Sequence, residues 1–292
     1  MTQFYKPSGK FSPSFILYFI LVSLLAFPVF GLIYAYCIWY IPFIYINFFI
    51  TIGFGLLVAF AINFAVIKKG RVRNPILAAA IGFFAALIAL YFHWSIWVDL
   101  VINAGESYGS KRIGITVSNI DFLEVFSLFL QPGLVFEYIN EVNKFGTWGI
   151  RGATVSGGFL WAIWAIEFVI VTAISTYLPF LSSKKPFSES TNSWHKEIEL
   201  PALSYIENKE QLIKDIASNN LSGFDILSKS ETSDSENHSI FTLYKSNSGK
   251  NYLTIENKTA SLDSKGKVEF NNDEFVEYIL IDGQLSKLLE AI

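Results

Sequence analysis

The sequence predicts an α-helical polytopic membrane domain with four spans and two short outer amphipathic helices, followed by a small soluble α+β domain with an antiparallel meander. Three observations lead to this fold class. The 57 residues from Phe11 to Ile67 include no Asp, Glu, Lys, Arg or His, and one membrane helix needs only about 20 apolar residues. Basic clusters recur between the apolar stretches. The net charge is +5 up to Lys185 and −8 from Pro186 onward.

The apolar stretches and their proline and aromatic breaks give the limits of the four spans. The first stretch runs past Tyr36 with bulky residues, so we expect a retained span and no cleavable signal peptide. Pro28 is expected to kink this helix, and Trp39, Tyr40 and Pro42 suit a turn at the membrane surface. The predicted spans are Pro13 to Tyr36, Ile44 to Ile67, Pro75 to Val101 and Gly158 to Leu181.

The basic residues predict the orientation. They fall at three sites: Lys6 and Lys10, Lys68 to Arg73, and Lys184 with Lys185. By the positive-inside rule all three sites are cytoplasmic. Four spans satisfy this with both termini inside and the segment 102–157 outside. Because no organelle-targeting segment is visible, we expect the cytoplasmic (inner) membrane of a bacterium.

The outer segment 102–157 contains two amphipathic patterns separated by Pro132 and Gly133. Asp121 to Gln131 and Val135 to Phe145 each place apolar residues at helical spacing opposite polar ones. Each helix is too short and too charged to span a bilayer. The pair is interpreted as a collar on the ends of the spans or in the outer interface, and the alternative is a lid over an outward-facing pocket. The glycines of 146–158 predict a flexible return loop.

Two ionisable residues, His93 and Glu167, fall inside predicted spans and are the candidate site. Charge at membrane depth is costly, so such residues face protein or water. Their predicted depths differ by about 6 Å at 1.5 Å per residue, and a stripe of small residues on the third helix ends at His93. We expect an interhelical hydrogen bond between them; the alternative is a proton or ion relay.

The residues of the membrane domain give little support for a metal site, a redox site or a ligand-binding site. The lone Cys37 excludes an internal disulfide and any cysteine-cluster metal site. His93, Glu167 and Asp99 are the whole donor set for a metal, and Asp99 is expected at the outer interface, so no metal or cofactor is predicted. The tryptophans near that end are interpreted as an aromatic belt and not as a ligand cage; they are Trp94, Trp97, Trp161 and Trp164.

A domain boundary is predicted at the polar connector Lys184 to Trp194, which gives a membrane domain 1–185 and a cytoplasmic domain 186–292. We expect a strand at Lys196 to Leu203 and a helix at Lys209 to Ser218, then a solvated loop at Ser228 to Ser239. Further strands are predicted at Ile240 to Tyr244, Tyr252 to Ile255, Val268 to Phe270 and Phe275 to Ile281, and a closing helix at Leu285 to Ile292.

The residues of this second domain suggest binding in preference to catalysis. His195 and His238 lie in polar stretches and are expected to be solvated. No nucleophile elbow or phosphate loop occurs, and the net charge argues against nucleic acid. We therefore expect no enzyme, but a membrane protein that presents an acidic cytoplasmic domain to a protein partner. The alternative is a small proton- or ion-coupled transporter or channel that uses His93 and Glu167.

Overall fold

The structure, a computed structural model, describes residues 3–41, 43–109, 114–146, 148–150, 153–218, 220, 224 and 236–291. It divides into two compact units. One comprises Gly9–Lys184, and the other joins Met1–Ser8 to Lys185–Ile292. The second unit therefore draws on both ends of the chain, a pairing that hydropathy does not signal.

Four helices of the first unit are long and apolar enough to cross a membrane. They are α1 (Ser14–Tyr40), α2 (Ile44–Ala61, continued by a π-helical segment Ile62–Lys68), α3 (Pro75–Ile102) and α6 (Gly157–Lys184). The labels α4 and α5 belong to two short helices between α3 and α6, at Phe122–Phe129 and Pro132–Phe145. Pro28 lies inside α1 as predicted. At the start of α3, Asn74 accepts a hydrogen bond from the Leu77 amide and Pro75 occupies the first turn.

Small residues set the helix contacts. A Cβ atom added at Gly82 of α3 would overlap the Ser175 carbonyl group of α6, and one at Gly31 of α1 would lie 2.9 Å from the His93 amide nitrogen. One at Gly55 of α2 would lie 3.3 Å from Ile174 of α6. Close backbone approach of this kind drives helix association in lipid. The predicted small-residue stripe of α3 is buried from Ala78 through His93 to Trp97.

One β-hairpin precedes α4 in the chain, and a second follows α5. Strands β1 (Ala104–Gly109) and β2 (Gly114–Ser118) pair antiparallel after α3, and β3 (Trp148–Ile150) pairs with β4 (Ala153–Val155) before α6. The expectation of a loop throughout 146–158 is thus wrong in part, because residues 148–150 pair with residues 153–155. Trp39 and Tyr40 donate side-chain hydrogen bonds to the Thr116 and Ser118 carbonyls of β2. These bonds explain why α1 continues four residues beyond its predicted end at Tyr36.

The second unit is built on an antiparallel sheet whose neighbouring strands are, in order, β11 (Val268–Ile281), β10 (Asn251–Leu262), β9 (His238–Lys245) and β7 (Lys196–Glu199). A further strand, β8 (Leu203–Ser204), also pairs with β9. Its side chains close a hydrophobic core that includes Leu203, Phe241, Leu253 and Leu285. A separate hairpin precedes the sheet. The elements are β5 (Phe187–Ser188), β6 (Ser193–Trp194), β7 (Lys196–Glu199), β8 (Leu203–Ser204), α7 (Lys209–Ala217), β9 (His238–Lys245), β10 (Asn251–Leu262), β11 (Val268–Ile281) and α8 (Gly283–Ala291).

A segment from the chain's start extends this sheet. Phe4 bridges Ile279 of β11, the Leu280 amide donates to the Gln3 carbonyl (2.7 Å) and the Tyr5 amide to the Tyr278 carbonyl (2.9 Å). Tyr278 itself has a φ of 53° at a bulge in β11, where its amide bonds the Thr254 hydroxyl. The two strands predicted at Val268–Phe270 and Phe275–Ile281 form one strand, because residues 271–274 between them also pair with β10. Of the predicted loop Ser228 to Ser239, residues 228–235 lie outside the described part of the chain.

Candidate functional site

A buried polar group lies where α1, α2 and α3 meet, and Tyr34 is at its centre. The Tyr34 hydroxyl lies 2.8 Å from the Thr51 Oγ1 atom of α2. Thr51 donates its own proton to the Asn47 carbonyl at 2.9 Å, so Tyr34 is the donor to Thr51. The phenol ring stacks on Phe54 with 4.4 Å between ring centroids and an interplanar angle of 8°. Both polar side chains are almost completely buried.

His93 packs against this group through its ring face. Its ring centroid lies 4.4 Å from that of Tyr34 and 5.4 Å from that of Trp94. The side chain is only 4% exposed, and its Nδ1 atom has no hydrogen-bond partner. The glycine at position 31 lets α1 reach the backbone at His93, which brings Tyr34, one turn further along α1, onto the imidazole. The Nδ1 atom therefore retains the capacity for a hydrogen bond.

The expected hydrogen bond between His93 and Glu167 is not formed. Within the described part of the chain, no hydrogen bond or ion pair joins these two side chains. At the level of His93 and Trp94, α6 presents Trp164, whose ring lies 5.0 Å from that of Trp94. Glu167 lies three residues deeper, about 4.5 Å at 1.5 Å per residue. It is half-buried and within electrostatic range of Tyr34. The sequence does not determine how far each helix is rotated about its axis, so it does not show whether the two side chains face each other.

The tryptophans that were expected to form an aromatic belt contact one another as a cluster. The rings of Trp94, Trp97, Trp161 and Trp164 contact one another at 5.0 to 6.3 Å between centroids, mostly edge to face. Trp97 is 5% exposed. Trp39 extends the cluster to α1, at 6.5 Å from Trp97. The cluster therefore joins the C-terminal ends of α1 and α3 to the N-terminal part of α6.

Asp99 is fully buried by protein near the C-terminal end of α3. Its two carboxylate oxygens accept hydrogen bonds from the Asn103 side chain and the Asp121 amide, each at 3.1 Å. Asn103 also donates to Glu124 at 3.2 Å. Asp121 in turn caps α4 by accepting from the Leu123 and Glu124 amides. Both oxygens of Asp99 are thus satisfied, and the residue fastens α4 to α3.

Two recesses adjoin these groups. An open pocket of about 440 Å³ beside Asp121 is lined by Asn103, Glu106, Tyr108 and Ser118 among others. An apolar groove of about 490 Å³ between α1 and α2 is lined by Tyr34, Cys37, Phe54 and neighbouring hydrophobic side chains. Among the described residues, no group of three or more His, Cys, Asp or Glu side chains is placed to hold a metal ion.

The two histidines of the second unit are buried, contrary to the expectation of solvated side chains. His195 Nε2 lies 3.0 Å from the Lys250 carbonyl and must donate to it, while Nδ1 has no partner. Burial lowers the pKa of His195, against the opposing effect of the Lys250 and Pro186 carbonyls. His238 Nδ1 bonds the Glu236 carbonyl and its ring packs on Phe270. A polar local sequence does not report the tertiary contacts that cover a side chain.

Sequence reasoning missed a tyrosine cluster in this unit. Tyr5, Tyr244, Tyr252 and Tyr278 meet edge to face at 5.1 to 6.3 Å between centroids. The Tyr244 hydroxyl donates to Glu197. Burial, followed by the neighbouring Tyr278 and Glu197, raises the pKa of Tyr244, and burial, followed by Glu277, raises the pKa of Tyr278. Alternation of apolar and polar residues along β9 and β10 could have indicated that Tyr244 and Tyr252 belong to the cluster. Nothing in the sequence around Tyr5 indicates that it joins them.

No family model matches the sequence, and no curated protein or solved structure matches it either. The function is therefore inferred from the sequence and geometry of this chain alone.

Proposed function

We propose that this protein is a four-span integral membrane protein of a bacterial cytoplasmic membrane that holds an acidic α+β domain at the cytoplasmic face to bind a protein partner. One observation carries the proposal. The same chain includes a C-terminal unit with its own hydrophobic core and four helices that are long and apolar enough to span a membrane, which is the organisation of a domain carried on an anchor.

The pairing of the two chain ends supports the orientation. Gln3, Phe4 and Tyr5 extend the sheet at β11, which requires the N-terminus and the C-terminal unit to lie on the same side of a membrane. Four spans meet this requirement and three or five do not. The basic residues at the three predicted cytoplasmic sites favour the inner side for both.

The charge of the domain favours a basic partner. From Pro186 onward the chain has 10 Lys against 18 Asp and Glu. Carboxylates lie exposed along β11, at Glu269, Asp273, Glu274 and Glu277, and Asp273 forms an ion pair with Lys209. Complementary charge of this kind accelerates association and loses its effect as salt screens it.

The test is a pull-down with the detergent-solubilised protein as bait at low and high ionic strength. We expect a cytoplasmic protein with a basic contact surface to be retained at low salt and released at high salt. The double variant Glu269→Lys with Glu277→Lys should lose it. The control Glu207→Lys changes an exposed charge in the turn before α7 and should keep it. Recovery of no specific protein at either salt concentration contradicts the proposal, and so does turnover of a small molecule by the domain.

A second candidate function is proton- or ion-coupled transport through the bundle. It is favoured by the buried, unpartnered Nδ1 of His93 and by a half-buried Glu167 near Tyr34. Such groups inside a membrane often mark ion or proton pathways. If transport occurs, Glu167→Gln should abolish flux in liposomes, whereas Glu137→Gln, on the exposed face of α5, should retain it. Equal flux in both variants would exclude a role for Glu167.

A further inference from the structure

The helix α4 is apolar on two opposite faces. One face, with Leu128 and Phe129, packs on α3, where the Phe129 ring stacks on Phe92 at 4.3 Å between centroids. The other face is exposed and carries Phe122, Leu123, Phe126 and Leu130, each between 62% and 81% exposed. Glu124 is the one charged residue within Phe122–Phe129; it is half-buried and accepts a hydrogen bond from Asn103 at the end of α3. An exposed apolar face of this density is typical of a surface covered by lipid or protein.

The contacts of α4 run inward along α3. At its start, the Asp121 amide bonds Asp99 near the outer end of α3. At its end, the Phe129 carbonyl accepts from the Tyr91 hydroxyl at 2.8 Å. Tyr91 precedes the last residue of α3, Ile102, by a distance of about 16 Å along the axis. Since α3 has 28 residues, it exceeds the roughly 30 Å hydrocarbon core by about 6 Å at each end, which places Phe129 about 10 Å inside that core.

The chain then turns back toward the outer end of α6. Taken together, α4 and α5 are long and apolar enough to pass as one span, but they are bent by 105° at the break. Phe136, early in α5, lies 6.3 Å from Trp161 between ring centroids, and Asn143 donates to the Gly157 carbonyl at the first residue of α6. The polar face of α5, with Glu137, Glu141 and Lys144, is exposed. The deepest point is therefore the turn between the helices.

The carbonyl groups at the end of α4 are satisfied from within the protein. The Phe126 carbonyl accepts from the Leu130 amide, and the Leu128 carbonyl from the Gln131 amide. The Ser127 carbonyl accepts from the Gln131 side chain, and the Phe129 carbonyl from Tyr91. The final carbonyls of a helix are usually left to water or to caps. In hydrocarbon, internal donors are obligatory, and this helix end has them.

We infer that α4 and the turn into α5 form a re-entrant hairpin that dips into the outer leaflet between α3 and α6, with acyl chains covering the exposed face of α4. This inference depends on the proposed membrane topology. Two reasons identify lipid as the group that covers the exposed face of α4. The face continues the exposed apolar surface of the spans through Phe136 and Trp161. The helix also reaches a depth at which the spans themselves contact lipid.

Site-directed spin labelling tests this in the full-length protein reconstituted in liposomes, in a Cys37→Ser background. Labels are placed at Leu130 and Phe126 on the outer face of α4. A label at Glu141 of α5 is the aqueous control, and one at Phe84, an exposed side chain of α3, is the control for a membrane span. We expect the α4 labels and the Phe84 label to collide more with oxygen than with a water-soluble nickel complex, and the Glu141 label to do the reverse.

The outcomes separate this inference from the proposed topology. If the Leu130 label is as accessible to nickel as the Glu141 label while Phe84 remains in lipid, the hairpin lies in water and the inference is overturned. Low accessibility to both reagents at Leu130 and Phe126 also overturns it, since protein and not lipid would then cover the face, as in a second copy of this chain. A Phe84 label accessible to nickel refutes the membrane topology itself.

Discussion

Replacing Gly82 by alanine should destabilise the helix bundle more than the same change at any other glycine of the spans. The added Cβ atom would overlap the Ser175 carbonyl oxygen, and it would lie 2.9 Å from the carbonyl carbon and 3.1 Å from Pro179 Cγ. Backbone atoms cannot rotate away, so α3 and α6 must separate. Overpacking costs about 1 to 3 kcal/mol, and this contact belongs at the upper end of that range.

Helix propensity acts in the opposite direction and supplies the control. Alanine is favoured over glycine inside a helix by roughly 0.5 to 1 kcal/mol, so we expect a net loss of about 2 kcal/mol at Gly82. Gly53 of α2 has nothing within 4 Å of an added Cβ, and Gly53→Ala should be neutral or stabilising. Gly31→Ala, with its Cβ 2.9 Å from the His93 amide, should fall between them.

The assay is reversible unfolding by SDS in mixed micelles, followed by tryptophan fluorescence, which reports on the cluster that joins α1, α3 and α6. The expected order of unfolding free energy is Gly53→Ala, then Gly31→Ala, then Gly82→Ala as the least stable. A Gly82→Ala protein as stable as Gly53→Ala would show that α3 and α6 do not approach at this residue, and the helix arrangement would be wrong.

Three further predictions follow from the polar groups. Tyr34→Phe and Thr51→Ala should couple by about 0.6 kcal/mol in a double-mutant cycle of unfolding free energy, whereas His93→Leu and Glu167→Leu should be additive; the reverse pattern would contradict the observed contacts. Burial lowers the pKa of His195, so the neutral side chain contributes to stability above the unfolded-state pKa of about 6.5, and this contribution is lost as the pH falls. In thermal melts, the His195→Gln variant should lose this sensitivity to acid. The pKa of Tyr244 is raised, so stability should fall above about pH 10, where the unfolded phenol ionises, and a Tyr244→Phe variant that melts with unchanged alkaline sensitivity would refute this.

The sequence predicted features that depend on neighbouring residues, such as the long helices, but not those that depend on contacts between distant segments. The cores of the four long helices follow from long apolar stretches, because apolarity over about 20 residues is a local property. Helix ends were less accurate, since Trp39 and Tyr40 keep α1 helical through bonds to β2. The hairpins β1-β2 and β3-β4 were missed because their short strands carry no sustained alternation. The N-terminal strand on β11 was missed because a pairing between distant segments leaves no local pattern.

The candidate site shows the same division. The burial of His93 and its neighbourhood followed from small-residue spacing, which identifies the contacting face of a helix. The contact partner of His93 could not be predicted in this way, because two residues at equal depth on two helices meet only if both helices are rotated to face each other. Tyr34 carried no signal of its own within a long run of aromatic residues. The buried His195 and His238 were likewise misjudged from polar neighbours in sequence.

The most direct test of the four-span topology is labelling of intact cells with a membrane-impermeant maleimide, in full-length single-cysteine variants on the Cys37→Ser background. The two positions are Glu141, exposed on α5, and Ser264, exposed in the turn between β10 and β11. The account predicts that Glu141→Cys is labelled from outside and that Ser264→Cys is labelled only after the cells are permeabilised. Labelling of Ser264→Cys in intact cells, or protection of Glu141→Cys until permeabilisation, would contradict it.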